Sequence, residues 1–562
     1  MTGLIEDFRY AARQLSKKPA FTAVAAITLA LAIGANTAIF SIVNAVLLAP
    51  LPYPHVDRLV MIWERNRTRE ERAFPISAGD FTRWKQENDV FDDIAASYDN
   101  EVTLTGSGEP KLVLGYAITP NYFRVLQVAP RLGRTFTDEG ARTETQVVVL
   151  SDKFWRTTLH GDPEILGKSI TLDAKPYTVI GVMPAAFNQP PRTELWMPFA
   201  ISPAASIDYE HRYLRVLGRL KPKVSTAEAQ LRMDALERRI AAQHAETEGG
   251  NETWVEPLRQ QLSGDIRMPL LALLGAVGFV LLIACVNIAS LRLAQAAGRR
   301  IEVSVRAAIG ASRFRLVRQF LIESLVLSIP GGVLGIALAF WCTNFLVAIF
   351  PNHVANLSIP IVETIPVNAP VLVFALAITV LAALLFGVLP ALQSANLGRN
   401  DALRESSRVL SSSPHSTRAR RTLIAVEVAL SLVLLAGAGL MIESFRHVYG
   451  EDLGFQPDRI LGLEVFLPQN RYPREQPQKE NSFVNNVVDN LRKLPRVQSV
   501  AVTNYLPLTG FWGTTDFVIE GQPRNASTKP FADSRLASPG YFSTMGIARL
   551  RGRDFANADR PG

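Results

Sequence analysis

Five stretches of this chain are long and nearly free of charge, and a bilayer crossing takes about 20 apolar residues. They run 21–48, 269–291, 316–350, 371–392 and 423–442. A chain so patterned cannot bury these segments in one soluble core, so it reads as a membrane protein. The third stretch is over-long and holds Glu323 and the Pro330-Gly331-Gly332 sequence. That sequence reads as a break, and the turns before it as an interfacial or cytoplasmic extension. The first stretch follows Arg9, Arg13, Lys17 and Lys18, as a secretory signal would. A signal's apolar core is only about 7–15 residues, and Ala49-Pro50 is a poor cleavage context, so an uncleaved anchor is expected.

Basic residues set the orientation. They crowd the N-terminal lead, the segment from Arg299 to Arg315, and the linker from Arg399 to Arg421, while 351–370 carries no Lys or Arg. The positive-inside rule puts all three basic segments in the cytoplasm. The chain then divides into a cytoplasmic lead (1–20), a first span (21–48) and an extracytoplasmic domain (49–266). A three-span segment (267–398), a cytoplasmic linker (399–421), a fifth span (422–445) and a second extracytoplasmic domain (446–562) follow. In the lead, Leu4, Phe8, Ala11, Ala12 and Leu15 fall at helical spacing, off Arg9, Arg13 and Lys17. The stripe fits an amphipathic helix on the membrane face or the solvated start of the first span.

The net charge of +8 is accounted for by these flanking arginines, so nucleic acid is not expected as a partner. The two cysteines, Cys285 and Cys342, both lie within spans, which excludes a disulfide framework and a cysteine-rich metal site.

Residues 49–266 are too many for a loop and read as mixed α and β. Strands are expected at 59–63, 147–150, 169–172, 177–182 and 213–220, and helices at 78–88 and 226–244. The second helix opens on Ser225-Thr226-Ala227-Glu228, a capping-box pattern. The run Gly161 to Ser169 approaches a phosphate-binding loop, but it has five residues between its glycines where the motif has four. A hairpin is expected after it instead of a helix, so it carries no nucleotide role. The seven histidines are scattered, and carboxylate neighbours such as Asp92 and Asp93 suit a solvated surface. No enzyme site and no cofactor are expected.

The chain repeats itself. Pro120-Asn121-Tyr122-Phe123 returns as Pro539-Gly540-Tyr541-Phe542, and Gly133-Arg134-Thr135-Phe136 as Gly552-Arg553-Asp554-Phe555, both 419 positions on. The two blocks align without a gap, each downstream of a basic-flanked span. The Tyr-Phe tandem suggests one buried aromatic and one at a polar edge, and Gly-Arg-x-Phe a tight turn before a strand. By the same offset the last span of a complete second copy would end at about residue 811, so the second copy is read as truncated.

Three segments carry a family resemblance. Phe21-Thr22, Gly34 to Ser41 and Pro50-Leu51-Pro52-Tyr53-Pro54 form the first. Thr178 to Pro184 is the second, and Arg299 to Ala311 the third. Together they resemble the MacB/FtsX-like ABC transporter permeases, most closely the duplicated orphan branch abundant in acidobacteria. The resemblance implies an α-helical inner-membrane protein with mixed α/β (α+β) periplasmic domains. Each unit would hold one helix, a MacB-like periplasmic core domain and an FtsX-like three-helix permease domain, with dimerisation replaced by duplication. It implies a cytoplasmic ABC ATPase dimer as partner, membrane lipid around the spans, and a periplasmic adaptor for some members. ATP-driven motion would then serve export or envelope processes. The ATPase-coupling residues would be Arg299, Arg300, Glu302, Arg306, Gly310 and Ala311, although these arginines would also suffice as topology signals. A membrane-anchored periplasmic scaffold or receptor, uncoupled from ATP, is the alternative. An ion-coupled carrier is disfavoured, because Glu323 and Glu427 are the only acidic residues within the spans and each can be placed near the cytoplasmic interface. Gly331, Gly332, Gly335, Gly437 and Gly439 suit close helix packing.

Overall fold

The computed structural model describes residues 2–66, 74–106, 109–143, 146–244, 251–298, 313–349, 367–395, 414–465, 467, 472, 476–508, 514–517, 519–521, 531–556 and 558–559. It divides into two compact units. One holds Met1–Pro50 and Ser263–Glu451, the other Leu51–Leu262 and Asp452–Gly562.

The first unit is helical. Among the described residues, five helices are long and apolar enough to cross a membrane: Pro19–Leu48, Ile266–Gln295, Val317–Phe345, Ala369–Val388 and Arg421–Gly450. They coincide with the five apolar stretches, within a few residues at most ends. The second belongs to an unbroken helix, Leu258–Gly298, of 41 residues with Pro269 inside it. At 1.5 Å per residue such a helix is about 60 Å long. The third runs Arg313–Ile349 straight through Pro330, so the expected break does not occur. Neighbouring helices compensate for the backbone bond a proline removes, which is why spans tolerate it.

Close backbone approach holds spans one and three together. A Cβ on Gly34 would lie 3.0 Å from the Gly335 carbonyl oxygen, and one on Gly331 would lie 2.6 Å from Leu29 Cβ. Spans three and four meet in the same way: a Cβ on Gly332 would lie 2.8 Å from Thr379 Oγ1, and one on Gly387 2.7 Å from Ser324 Oγ. Phe40 and Phe374 stack with centroids 3.9 Å apart, joining spans one and four. Asn36 donates its amide to the Val277 carbonyl oxygen at 2.7 Å, joining spans one and two. None of the fifth span's described residues is buried, and Gly437 and Gly439 have nothing within 4 Å. The close packing expected of those two glycines is therefore not made among the described residues.

The lead is its own helix, Thr2–Ser16, ended before Pro19 opens the first span. Ala11 is fully buried, Leu15 packs on the span core and Phe8 is exposed, so only part of the apolar stripe is covered.

Among the described residues, the second unit carries a sheet of 13 strands. In chain order they are β1 (Leu59–Asn66), β2 (Ile76–Ser77), β3 (Phe91–Asp99), β4 (Val102–Thr105), β5 (Lys111–Val113), β6 (Gly115–Ile118) and β7 (Leu132–Gly133). There follow β8 (Val147–Leu150), β9 (Ser169–Leu172), β10 (Lys175–Val182), β11 (Leu195–Pro198), β12 (Arg212–Leu220) and β13 (Asn251–Pro257). The main path is β13-β1-β12-β3-β6-β11-β8-β10-β9-β4-β5. Central strands are apolar on both faces, as β8 (Val147-Val148-Val149-Leu150) shows, because helices or loops cover both sides. All five strands and both helices expected from the sequence are present: the helices are Ala78–Glu87 and Thr226–Gln243. Ser225 Oγ accepts from the Glu228 amide at 3.1 Å, the forward half of the capping box.

Candidate coupling site

Arg299, Arg300, Glu302, Arg306, Gly310 and Ala311 lie outside the described residues. The two helices that bear this segment are described, and their facing ends are tied. Near the end of the second span, Arg292 Nη1 stands 3.4 Å from Glu323 Oε2 on the third. Arg292 also donates to the Glu323 carbonyl oxygen at 3.3 Å, and its guanidinium lies over the Phe21 ring at 5.5 Å. Gln319 donates to the other Glu323 oxygen at 3.3 Å. Glu323 is thus buried and paired with a neighbouring helix, a partner that its spacing from Arg318 did not reveal. Arg318 instead pairs with Asp7 of the lead helix at 2.7 Å. Sequence spacing could not find either partner, because both come from other helices.

The repeated residues occupy matching geometry. Tyr122 and Phe123 stand edge to face, centroids 6.2 Å apart at 89°, and Tyr541 and Phe542 do so at 5.6 Å and 76°. Phe123 meets Phe136 at 5.9 Å, and Phe542 meets Phe555 at 6.1 Å. The Tyr122 amide donates to Thr119 and the Val128 amide to Phe123; 419 positions on, Tyr541 donates to Ser538 and Ile547 to Phe542. Gln127 and Gly546, one offset apart, both take positive φ, at 55° and 68°.

Two details differ from expectation. Tyr122 and Phe123 are both buried; the Tyr122 hydroxyl hydrogen-bonds Ser97 and Gln189, and burial holds it well above the ordinary phenol range. Gly133 closes a short strand, β7, and residues 134–143 directly after it form no strand. Its φ of 74° and a Cβ position 2.1 Å from the Ile180 carbonyl oxygen both require glycine. Gly552 shares the positive φ, at 82°.

The glycine run at 161–169 enters the β9–β10 hairpin. Lys168 Nζ is held by Asp162 at 2.6 Å, and that hydrogen bond keeps the Asp162 carboxyl below its usual range. The lysine closes a turn.

One polar cluster was not legible in the sequence. Glu64, Asp80 and Glu237 are fully buried, and their ligand atoms lie within 4.8 Å of one another. Arg212 pairs with Glu64 and lies 3.6 Å from Asp80. Ser77 Oγ donates to Asp80 at 2.6 Å, and Trp84 Nε1 to Glu237 at 3.1 Å. A guanidinium stands where a cation would, so the cluster is an internally paired polar seam between β1, β12 and the two helices. No local spacing signals it.

Residues 22–236 match the MacB-like periplasmic core domain family, and residues 274–398 the FtsX-like permease C-terminal family. The chain is similar to the macrolide export ATP-binding/permease protein MacB of Chromobacterium violaceum. That match is 29% identical over 289 residues, covering 50% of this chain and 42% of that protein. It is also similar to the uncharacterized ABC transporter permease YvrN of Bacillus subtilis, 25% identical over 308 residues, covering 54% of this chain and 71% of that one. The chain thus spans only about two-fifths of the length of the MacB relatives it matches, 42% in the first of them. Among solved structures, the periplasmic region of MacB from Actinobacillus actinomycetemcomitans aligns at a TM-score of 0.28 and 17% identity, over 37% of this chain and 92% of that one.

Proposed function

Since the chain belongs to the MacB/FtsX-like ABC transporter permeases, we propose that it is a mechanotransmission subunit. It couples a separate cytoplasmic ABC ATPase to motion of its periplasmic domains, in export or another envelope process. The observation that carries this reading is the helix Leu258–Gly298, which starts directly after β13 and runs unbroken to the edge of the 299–311 segment. A push on that segment has a stiff element to act on. The Arg292–Glu323 pair fixes the two helices that flank it, so they respond together.

The proposed topology has the N-terminus in the cytoplasm of the inner membrane, with the arginine-rich segment on the same side. The coupling residues remain Arg306 and Gly310, with Arg299, Arg300, Glu302 and Ala311 around them. We further read the chain as an internal duplication whose second unit begins at the fifth span. The matching bonds and rings at the 419-residue offset support that reading.

The test is an affinity pull-down of the full chain from native membranes, beside a variant carrying Arg306→Glu and Gly310→Val. An ABC ATPase that co-purifies with the chain and is lost with the variant is the expected result. Its absence from both, with membrane ATP turnover unchanged, would overturn coupling and favour the uncoupled scaffold.

A further inference from the structure

Two chain links join the helical unit to the first α/β domain, at residues 50–51 and 262–263. The second link lies inside the unbroken helix Leu258–Gly298. The first follows span one and is built differently. Span one is α-helical only as far as Val43. Asn44–Leu48 is a π-helical turn, closed by the Ala49 amide donating to the Asn44 carbonyl oxygen at 2.6 Å. Pro50 biases the residue before it away from helix, and Ala49 is extended, with ψ at 133°. Single π turns are rare and occur frequently at functional sites.

The chain is held on both sides of this turn. On the span side, the buried Asn44 side chain donates to Asn368 Oδ1 at 3.3 Å. Asn368 stands just before the helix Ala369–Ala395, and the same oxygen accepts from the Val371 amide at 3.4 Å. That cap needs an oxygen, so Asn44 has to offer its amide N–H, and the orientation of both side chains is set. One turn deeper, Phe40 stacks on Phe374. On the domain side, Tyr53 is buried in the core with Leu59 and Leu258. Arg219 of β12 donates to the Pro54 carbonyl oxygen at 3.1 Å and to that of Val125 at 2.6 Å. Residues 45–52, between the two holds, are all at least partly exposed.

Yielding of this link therefore falls on 45–52, and the π turn offers one discrete step. If the Leu48 amide donates to the Asn44 carbonyl in place of Ala49, the turn becomes α-helical. The chain beyond is then reset by one residue, about 100° of rotation and about 1.5 Å of rise. The Asn44–Asn368 bond opposes that step by pinning the turn's first residue to span four. A side-chain hydrogen bond between spans biases an equilibrium by only about threefold. It can open while the Phe40–Phe374 stack and the glycine contacts keep the bundle together.

We propose that Asn44 and Asn368 form a releasable latch on the π turn, and that Asn44–Leu48 is the hinge at which the span-one link winds by one residue. What drives the hinge rests on the motion-transmitting reading; the latch itself is read out with no ATPase present.

The test is hydrogen exchange of the full chain in nanodiscs, followed on peptides covering 44–52, for wild type and three variants. Asn44→Leu keeps the shape and loses the donor. Asn368→Ser keeps the helix cap but is too short to reach Asn44, whereas Asn368→Asp keeps both cap and acceptor. The first two should speed exchange at 44–52 by about threefold or more, with 25–40 and 371–386 unchanged and Asn368→Asp close to wild type. Spin labels at Asp57→Cys and Leu372→Cys, both exposed, with Cys285 and Cys342 replaced by alanine, report the step. One main distance is expected with Asn44 present, and a second population in Asn44→Leu. Unchanged exchange at 44–52 in both latch-free variants would overturn the latch. Equal speeding throughout spans one and four would reduce the bond to a structural contact and also overturn it. A single unchanged distance in Asn44→Leu would overturn the hinge. Should the ATPase fail to co-purify while these results hold, the coupling reading falls and the latch stands.

Discussion

Arg292 and Glu323 form an ion pair 3.4 Å long between the second and third spans, with the Glu323 side chain almost wholly removed from solvent. Breaking one half of a buried pair strands the other charge and typically costs about 3–5 kcal/mol. Glu323→Ala should therefore destabilise the helical unit by about that much, while Arg292→Met with Glu323→Met should come within about 1 kcal/mol of wild type. Denaturant titration in micelles checks both. The double variant should still lose ATPase stimulation if the pair positions the coupling segment.

The glycines divide into two groups. Gly331→Val places atoms where Leu29 already stands, so a loss of about 1–3 kcal/mol is expected. Gly437→Val meets nothing within 4 Å and should change stability by no more than about 0.5 kcal/mol. Thermal unfolding of the two variants side by side tests this contrast.

The hydroxyls of Thr119 and Ser538 each accept a backbone amide hydrogen bond, from Ala96 at 3.0 Å and Val502 at 2.8 Å. Replacing either with alanine should cost about 1 kcal/mol. Hydrogen exchange should quicken at the Ala96 amide in one variant and at the Val502 amide in the other. An effect at Thr119 alone would separate the two units.

Burial, followed by the nearby charges of Glu464 and Asp99, holds the Glu101 carboxyl above its usual range. A carboxyl raised in the folded state favours its protonated form, so its ionisation costs stability at neutral pH. That cost disappears as pH falls through the folded pKa towards the unfolded one. Glu101→Gln should raise the melting temperature near neutral pH and make no difference below the carboxylate range. A melting series across pH reads both arms.

The elements most legible in the sequence were those whose signal is local. Apolar runs gave the spans, and alternation or continuous apolarity gave β1, β8, β9, β10 and β12. Ser225 and Glu228 marked a helix start because the cap is three residues long. What escaped was long-range. Arg292 with Glu323, Arg318 with Asp7, and Glu64 with Arg212 are each joined by tertiary packing, and no spacing rule reaches across those separations. Strands such as β3, Phe91 to Asp99, were hidden because Asp92 and Asp93 break their apolar pattern. Pro330 misled for a related reason: a proline ends helices in water, but neighbouring spans can carry a helix through it. The repeat was read from two aromatic blocks; Ala96 and Val502, with little sequence likeness, make similar hydrogen bonds to Thr119 and Ser538.

The helix Leu258–Gly298 holds a single proline, Pro269. Proline has no N–H to donate, so the turn at Pro269 lacks one backbone bond and is where bending costs least. Compliance is therefore concentrated at one joint near the start of the rod, and the long stretch beyond it behaves as a lever arm. Under the proposed coupling, a displacement applied at the far end would reach that joint as torque.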